Sequence, residues 1–181
     1  MIRMRACRKV IIKGGLVPIM FFIDCLFFHA VALENNVLIS GTLVTEPCTI
    51  DPSHSDIPLN FGSVIKKYFD LYPRTESELF QIILIECDTS LGQHATVTFT
   101  GNESLSLSGL LQPDNGDVHG IAIGIEQADG TALPLNQPTP LYQLSDGTTT
   151  LTLKSYIAKE PEQTVIAGPF TATATFAVSY P

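Results

Sequence analysis

Residues 170–180 read FTATATFAVSY, and the reading of this stretch decides the fold. Phe170, Ala172, Ala174, Phe176, Val178 and Tyr180 point to one side. Thr171, Thr173, Thr175 and Ser179 point to the other, with Ala177 the one exception. A period of two over this length predicts a β-strand with one dry face and one wet face. Gly168-Pro169 punctuates its start, and only Pro181 follows it. One edge of the strand is therefore expected to find no later partner in the chain, a hazard that folded proteins normally cover.

The remaining chain is read against that strand. It has 181 residues, 45% of them hydrophobic, with 13 Gly and 12 Pro and a net charge of −8. This composition fits a globular β-rich chain of one domain plus a leader. The acidic balance argues against nucleic acid or an anionic membrane surface as a partner.

Residues 1–32 read as a targeting segment. Arg3, Arg5, Arg8, Lys9 and Lys13 make a basic start, an apolar run covers 16–31, and Ala30-Val31-Ala32 supplies a small-x-small cleavage pattern. Asp24 interrupts the apolar run, which is short for a membrane span. Removal of this signal peptide leaves 5 basic and 17 acidic residues. Cys7 and Cys25 leave with it. Cys48 and Cys87 remain as an even pair in an oxidising compartment, so one disulfide is predicted between them.

Residues 33–46, LENNVLISGTLVTE, place Val37, Ile39, Gly41 and Leu43 on one side of a second β-type segment. Gly41 weakens it as a self-contained strand but would allow close approach to another backbone. An internal first strand is the competing reading. Further strands are expected at 49–50, 57–61, 79–87, 95–100, 118–127, 141–144 and 149–158, with turns at Asp129-Gly130 and Asp146-Gly147. Strands at this spacing suggest an antiparallel sandwich. Residues 66–78 read as a loop with room for one helical turn.

A search for chemistry returns little. His54, His94 and His119 are isolated, so neither a metal nor another cofactor is expected. No nucleophile elbow or phosphate-binding glycine loop occurs, and the chain is read as a non-enzyme. Asp114, Asp117, Glu126 and Asp129 read as solvated turn residues. Asn102-Glu103-Ser104 matches a glycosylation triplet. Tyr68, Phe69 and Tyr72 read either as an exposed aromatic patch or as packing under a loop.

Taken in order, these pieces resemble the pilins of the chaperone–usher family, the structural subunits of type 1 and P pili. The resemblance rests on an alternating segment ending in a glycine and then Pro47-Cys48-Thr49-Ile50, and on Phe61-Gly62-x-Val64. It continues through Phe80-x-Ile82-x-Leu84-x-x-Cys87, Val97-x-Phe99-x-Gly101, Gly120-Ile121-Ala122-Ile123 and Leu151-x-Leu153-x-Ser155-Tyr156, and ends on Gly168 and penultimate Tyr180. Ser155 stands where a small apolar residue is commoner.

The resemblance implies an all-β, incomplete immunoglobulin-like sandwich that lacks its seventh strand and is completed by donor-strand complementation. It implies a signal peptide at 1–32, a donor-strand extension at 33–46 and a pilin domain at 47–181. Val37, Ile39, Gly41 and Leu43 would be the donor strand. Gly168, Phe170, Ala172, Ala174, Phe176, Val178 and Tyr180 would line the acceptor groove and meet the chaperone. The implied partners are a periplasmic pilus chaperone, an outer-membrane usher and neighbouring pilin subunits, with export through the periplasm to a cell-surface fimbrium. A self-sufficient secreted carbohydrate-binding sandwich is the alternative.

Overall fold

The computed structural model describes residues 37–43 and 45–181. The expected signal peptide at 1–32, residues 33–36 of the extension, and Val44 lie outside them.

Residues 42–181 form a compact unit of nine strands. The strands are β1 (Thr49–Ile50), β2 (Glu78–Cys87), β3 (His94–Thr100), β4 (Asn115–Gly116), β5 (Ile121–Gln127), β6 (Tyr142–Gln143), β7 (Gly147–Lys159), β8 (Phe170–Thr171) and β9 (Thr175–Ser179). One sheet has the order β1-β2-β7-β5 and a second has β6-β3-β9, with β4-β8 as a small ribbon. Every described strand pair is antiparallel. Ile82, Leu84, Leu151 and Leu153 of the first sheet share one buried core with Ala95, Val97 and Phe99 of the second. The alternation that predicted these strands is the alternation that fills the space between them.

Four expectations need correction. The stretch 170–180 is not one continuous strand. Phe170–Thr171 pairs with Asn115–Gly116, the chain leaves the ladder over 172–174, and Thr175–Ser179 pairs with β3. The partner β3 ends at Thr100, so the ladder has nothing to continue on; period-two patterning survives because it records faces and not partners. Residues 57–61 form no strand, although Ile57 and Phe61 pack against the core. β5 begins at Ile121 and is buried along both faces. Gly124 makes that possible: a Cβ there would lie 2.2 Å from Cζ of Tyr156, whose ring crosses the strand.

The fourth correction is Glu126, which is not a solvated turn residue but 2% exposed. Its carboxylate accepts from Arg74 Nη1 at 2.6 Å and from Ser77 Oγ at 2.7 Å. The Arg74 guanidinium also lies 4.3 Å over the Tyr156 ring. Burial pushes the Glu126 carboxyl upward, but hydrogen bonds from Ser77 and Arg74, with the charges of Arg74 and Lys154, outweigh it and hold the group below its ordinary value of 4.5.

The disulfide joins Cys48 to Cys87 across 39 positions. A bulge between Leu84 and Cys87, with Glu86 at φ 54°, turns β2 toward its partner cysteine. The aromatic question also resolves. Phe69, in a 3-10 turn at Lys66–Asp70, is buried with Val118, Ile121, Ile157 and Val165, while Tyr68 and Tyr72 stack at 4.6 Å above it.

Three outcomes are expected. Glu126→Ala strands the Arg74 guanidinium and should cost about 2–3 kcal/mol, below the usual figure for a fully buried pair because Arg74 is half-exposed. The lowered Glu126 value adds stability above about pH 4.5 that is lost as pH falls through it, so denaturant midpoints of Glu126→Gln should show a weaker acid dependence than the parent. Replacing both Cys48 and Cys87 by Ser should cost about 3–4 kcal/mol in the same measurement.

Candidate functional site

The second sheet stops at β9, and among the described residues no strand pairs with the outer edge of β9. Beyond that edge the inner face of the first sheet lies open in a groove of about 940 Å³. Its floor includes Phe80 of β2, Ser155 of β7 and Ile125 of β5. Ile57 and Phe61 bound one side, and Phe170, Ala172, Ala174 and Phe176 bound the other.

The residues along that last wall show what the edge lacks. Phe170, Ala172, Ala174, Phe176, Val178 and Tyr180 are all half-buried, while every residue between them is exposed. A dry face packed against a finished core would be fully buried, as it is at Ile82 and Leu84 of β2 and at Ala95, Val97 and Phe99 of β3. The six are packed on one side only. Phe99 bridges the two sheets, with its ring 6.3 Å from Phe80 and 6.4 Å from Phe176.

The groove takes Phe170, Ala172, Ala174 and Phe176 from the sequence-derived set. Val178 and Tyr180 pack on the core beyond it. Tyr180 donates its hydroxyl to the Cys48 carbonyl at 3.1 Å, and burial, with the nearby Glu46 charge, pushes its phenol upward. Gly168 lies outside the groove against Asp117 and Val118. Sequence reading missed the floor and the far wall, because their residues come from four separate segments. Ser155, the departure noted above, sits on the floor with its hydroxyl donated to the Gly124 carbonyl at 2.9 Å.

Residues 37–43 form no strand. Ile39 is 88% exposed and Leu43 is 100% exposed, so the alternating apolar set of this segment is unburied. Nothing lies within 4 Å of a Cβ placed on Gly41.

Among the described residues, His54 is the histidine with side-chain partners, and they form no catalytic relay. His54 Nδ1 lies 2.7 Å from Asp51 Oδ2 and 3.0 Å from Ser53 Oγ, so one nitrogen faces both partners and cannot relay a proton between them. Hydrogen bonds from the Ser53 hydroxyl and amide, then from His54, hold the Asp51 carboxyl below the usual range. Among the described residues no group of three or more His, Cys, Asp or Glu is arranged to hold a metal.

Comparison with known proteins agrees with this geometry. The family model described as fimbrial protein matches residues 37–181. The major MR/P fimbria protein of Proteus mirabilis is 30% identical over 141 residues, covering 77% of this chain and 80% of that protein. The fimbria A protein of Serratia marcescens is 30% identical over 148 residues, covering 81% and 84%. The crystal structure of the P pilus rod subunit PapA superposes with a TM-score of 0.68 at 23% identity, over 75% of this chain and all of that one. A chaperone–usher pilus structure gives 0.67 at 24%, over 82% and 96%. The all-β body is thus an incomplete immunoglobulin-like sandwich, and the chain belongs to the fimbrial protein family, whose members are structural subunits of cell-surface pili and not enzymes.

Proposed function

We propose that this chain polymerises into a chaperone–usher fimbria by exchanging β-strands. The groove beside β9 accepts a strand from another molecule, and Val37, Ile39, Gly41 and Leu43 are the strand it gives. One observation carries the reading: a row of half-buried alternate residues borders an open apolar groove at a strand edge that no described strand occupies. Strand addition suits such a site, because main-chain bonds supply affinity and alternate side chains set the register.

The magnitudes are adequate. Burying Val37, Ile39 and Leu43 at roughly 1.5–3 kcal/mol each gives about 5–9 kcal/mol before ordering costs. Each ladder hydrogen bond adds about 1 kcal/mol net. Gly41 presents no side chain, so the donor backbone can come close to the acceptor wall. Before assembly the same edge needs a temporary cover, which a periplasmic chaperone strand supplies until exchange at an outer-membrane usher. The polymer then stands on the cell surface.

Gly41→Leu should fold and reach the periplasm but join its neighbour poorly, giving at least a tenfold loss of detergent-resistant oligomers on gels. Phe176→Asp should lose the acceptor function while still donating to a wild-type groove. Tyr180→Ala should lose chaperone pairing and be degraded. Oligomer ladders from both Gly41→Leu and Phe176→Asp at wild-type levels would exclude strand exchange, and a chaperone-free chain that stays soluble and monomeric would favour a self-sufficient module.

A further inference from the structure

The wall of the groove is held in two different ways along its length. Over Thr175–Ser179 it is hydrogen-bonded to β3. Over 172–174 it has left the ladder, because β3 ends at Thr100 and Gly101 follows. Packing against Gly101 sets its position there. A Cβ on Gly101 would lie 2.5 Å from Cδ1 of Leu111, 3.3 Å from the Thr173 carbonyl oxygen and 3.7 Å from Cα of Ala174. The φ of Gly101 lies outside the left-handed region, so its backbone asks for no glycine. The missing side chain is what this position uses.

Leu111 is the other half of this contact. It is buried, and its side chain lines the groove. Its backbone is fixed on both sides. The Leu111 amide donates to the Ile123 carbonyl at 2.8 Å and the Ile123 amide donates back to the Leu111 carbonyl at 2.8 Å. The next amide, that of Gln112, donates to the Asn102 carbonyl at 2.8 Å. Gly101 contributes no lining of its own, so the Leu111 side chain stands between the Gly101 backbone and the open space of the groove. A methyl on Gly101 would crowd the Thr173 carbonyl and push Leu111 into the groove, since close-packed neighbours leave it no other direction.

Resting on the strand-exchange reading, we propose that Gly101 is a positioning residue for strand acceptance: by carrying no side chain it holds Leu111 back and keeps a recess open beside Ala174 for one large aliphatic side chain of the incoming strand. Size supplies the register. Phe176 is the large wall residue next to Ala174 in the alternation, and Gly41 is the position on the donor face without a side chain. Alternate residues advance by about 6.6 Å on any strand, so the two rows stay in step. Gly41 across from Phe176 then puts Ile39 beside Ala174 in a parallel donor and Leu43 there in an antiparallel one. Either is a branched aliphatic chain that fills the recess. Gly101 touches no donor atom and acts through Leu111.

The test refolds the exported chain with an excess of a synthetic peptide of residues 33–46 and reads, on gels, the fraction of chain captured in a detergent-resistant complex. Four peptides are used: the parent and its Val37→Ala, Ile39→Ala and Leu43→Ala forms. The wild-type chain should capture the parent best. Gly101→Ala should capture the parent about tenfold less well, and should capture the Ile39→Ala or the Leu43→Ala peptide better than the parent. A merely structural defect lowers all four together and does not reverse their order. Gly101→Ala combined with Leu111→Val moves one carbon across the contact and should restore capture of the parent to within about threefold. Should Gly101→Ala not fold, Leu111→Val alone deepens the recess and should capture an Ile39→Phe or a Leu43→Phe peptide better than the wild-type chain does. Unchanged capture by Gly101→Ala, equal loss of all four peptides, no recovery in the double variant, or no gain from either Phe peptide would overturn the role of Gly101 while leaving strand exchange standing. Failure of the wild-type chain to capture the parent peptide would instead overturn strand exchange and this inference with it.

Discussion

The inner face of a β-sheet must be covered, and this body carries one sheet with more inner face than its partner can cover. Phe80, Ser155 and Ile125 lie under the open groove, while Ile82, Leu84 and Leu153 on the same sheet are sealed by β3. The border between sealed and open runs along β9, and the half-burial of every second residue there is its mark. Apolar area left at such a border is free energy available to whatever strand arrives.

A domain that keeps one side open needs its remaining parts held firmly. Two fastenings do this at opposite ends of β7. At the Gly147 end the Cys48–Cys87 disulfide ties β1 to β2, and the Tyr180 hydroxyl bonds to the Cys48 carbonyl. At the other end Arg74, Ser77 and Glu126 form a buried polar network beneath the Tyr156 ring. The first of them also anchors the end of the edge strand, since Tyr180 directly follows β9.

The fastenings hold the body, the groove offers an edge, and the exposed segment 37–43 carries the alternating apolar pattern such an edge would take. None of these roles requires a bound metal or a nucleophile, in keeping with a family whose members are structural.

By itself the sequence determined the strand faces, the cysteine pair and the family. Face is a local property: a period of two assigns Phe170, Ala172, Ala174 and Phe176 to one side whatever lies opposite. Partnership is not local, and only the tertiary structure decided it. The chain exchanges β4 for β3 as partner across 172–174 with no break in alternation, so the pattern 170–180 looked continuous. Glu126 looked like a turn carboxylate because Arg74 and Ser77, which bury it, lie about fifty residues earlier. The floor of the groove was hidden for the same reason: Phe80, Ile125 and Ser155 meet there only once β2, β5 and β7 are laid side by side, and no spacing along the chain encodes that distance.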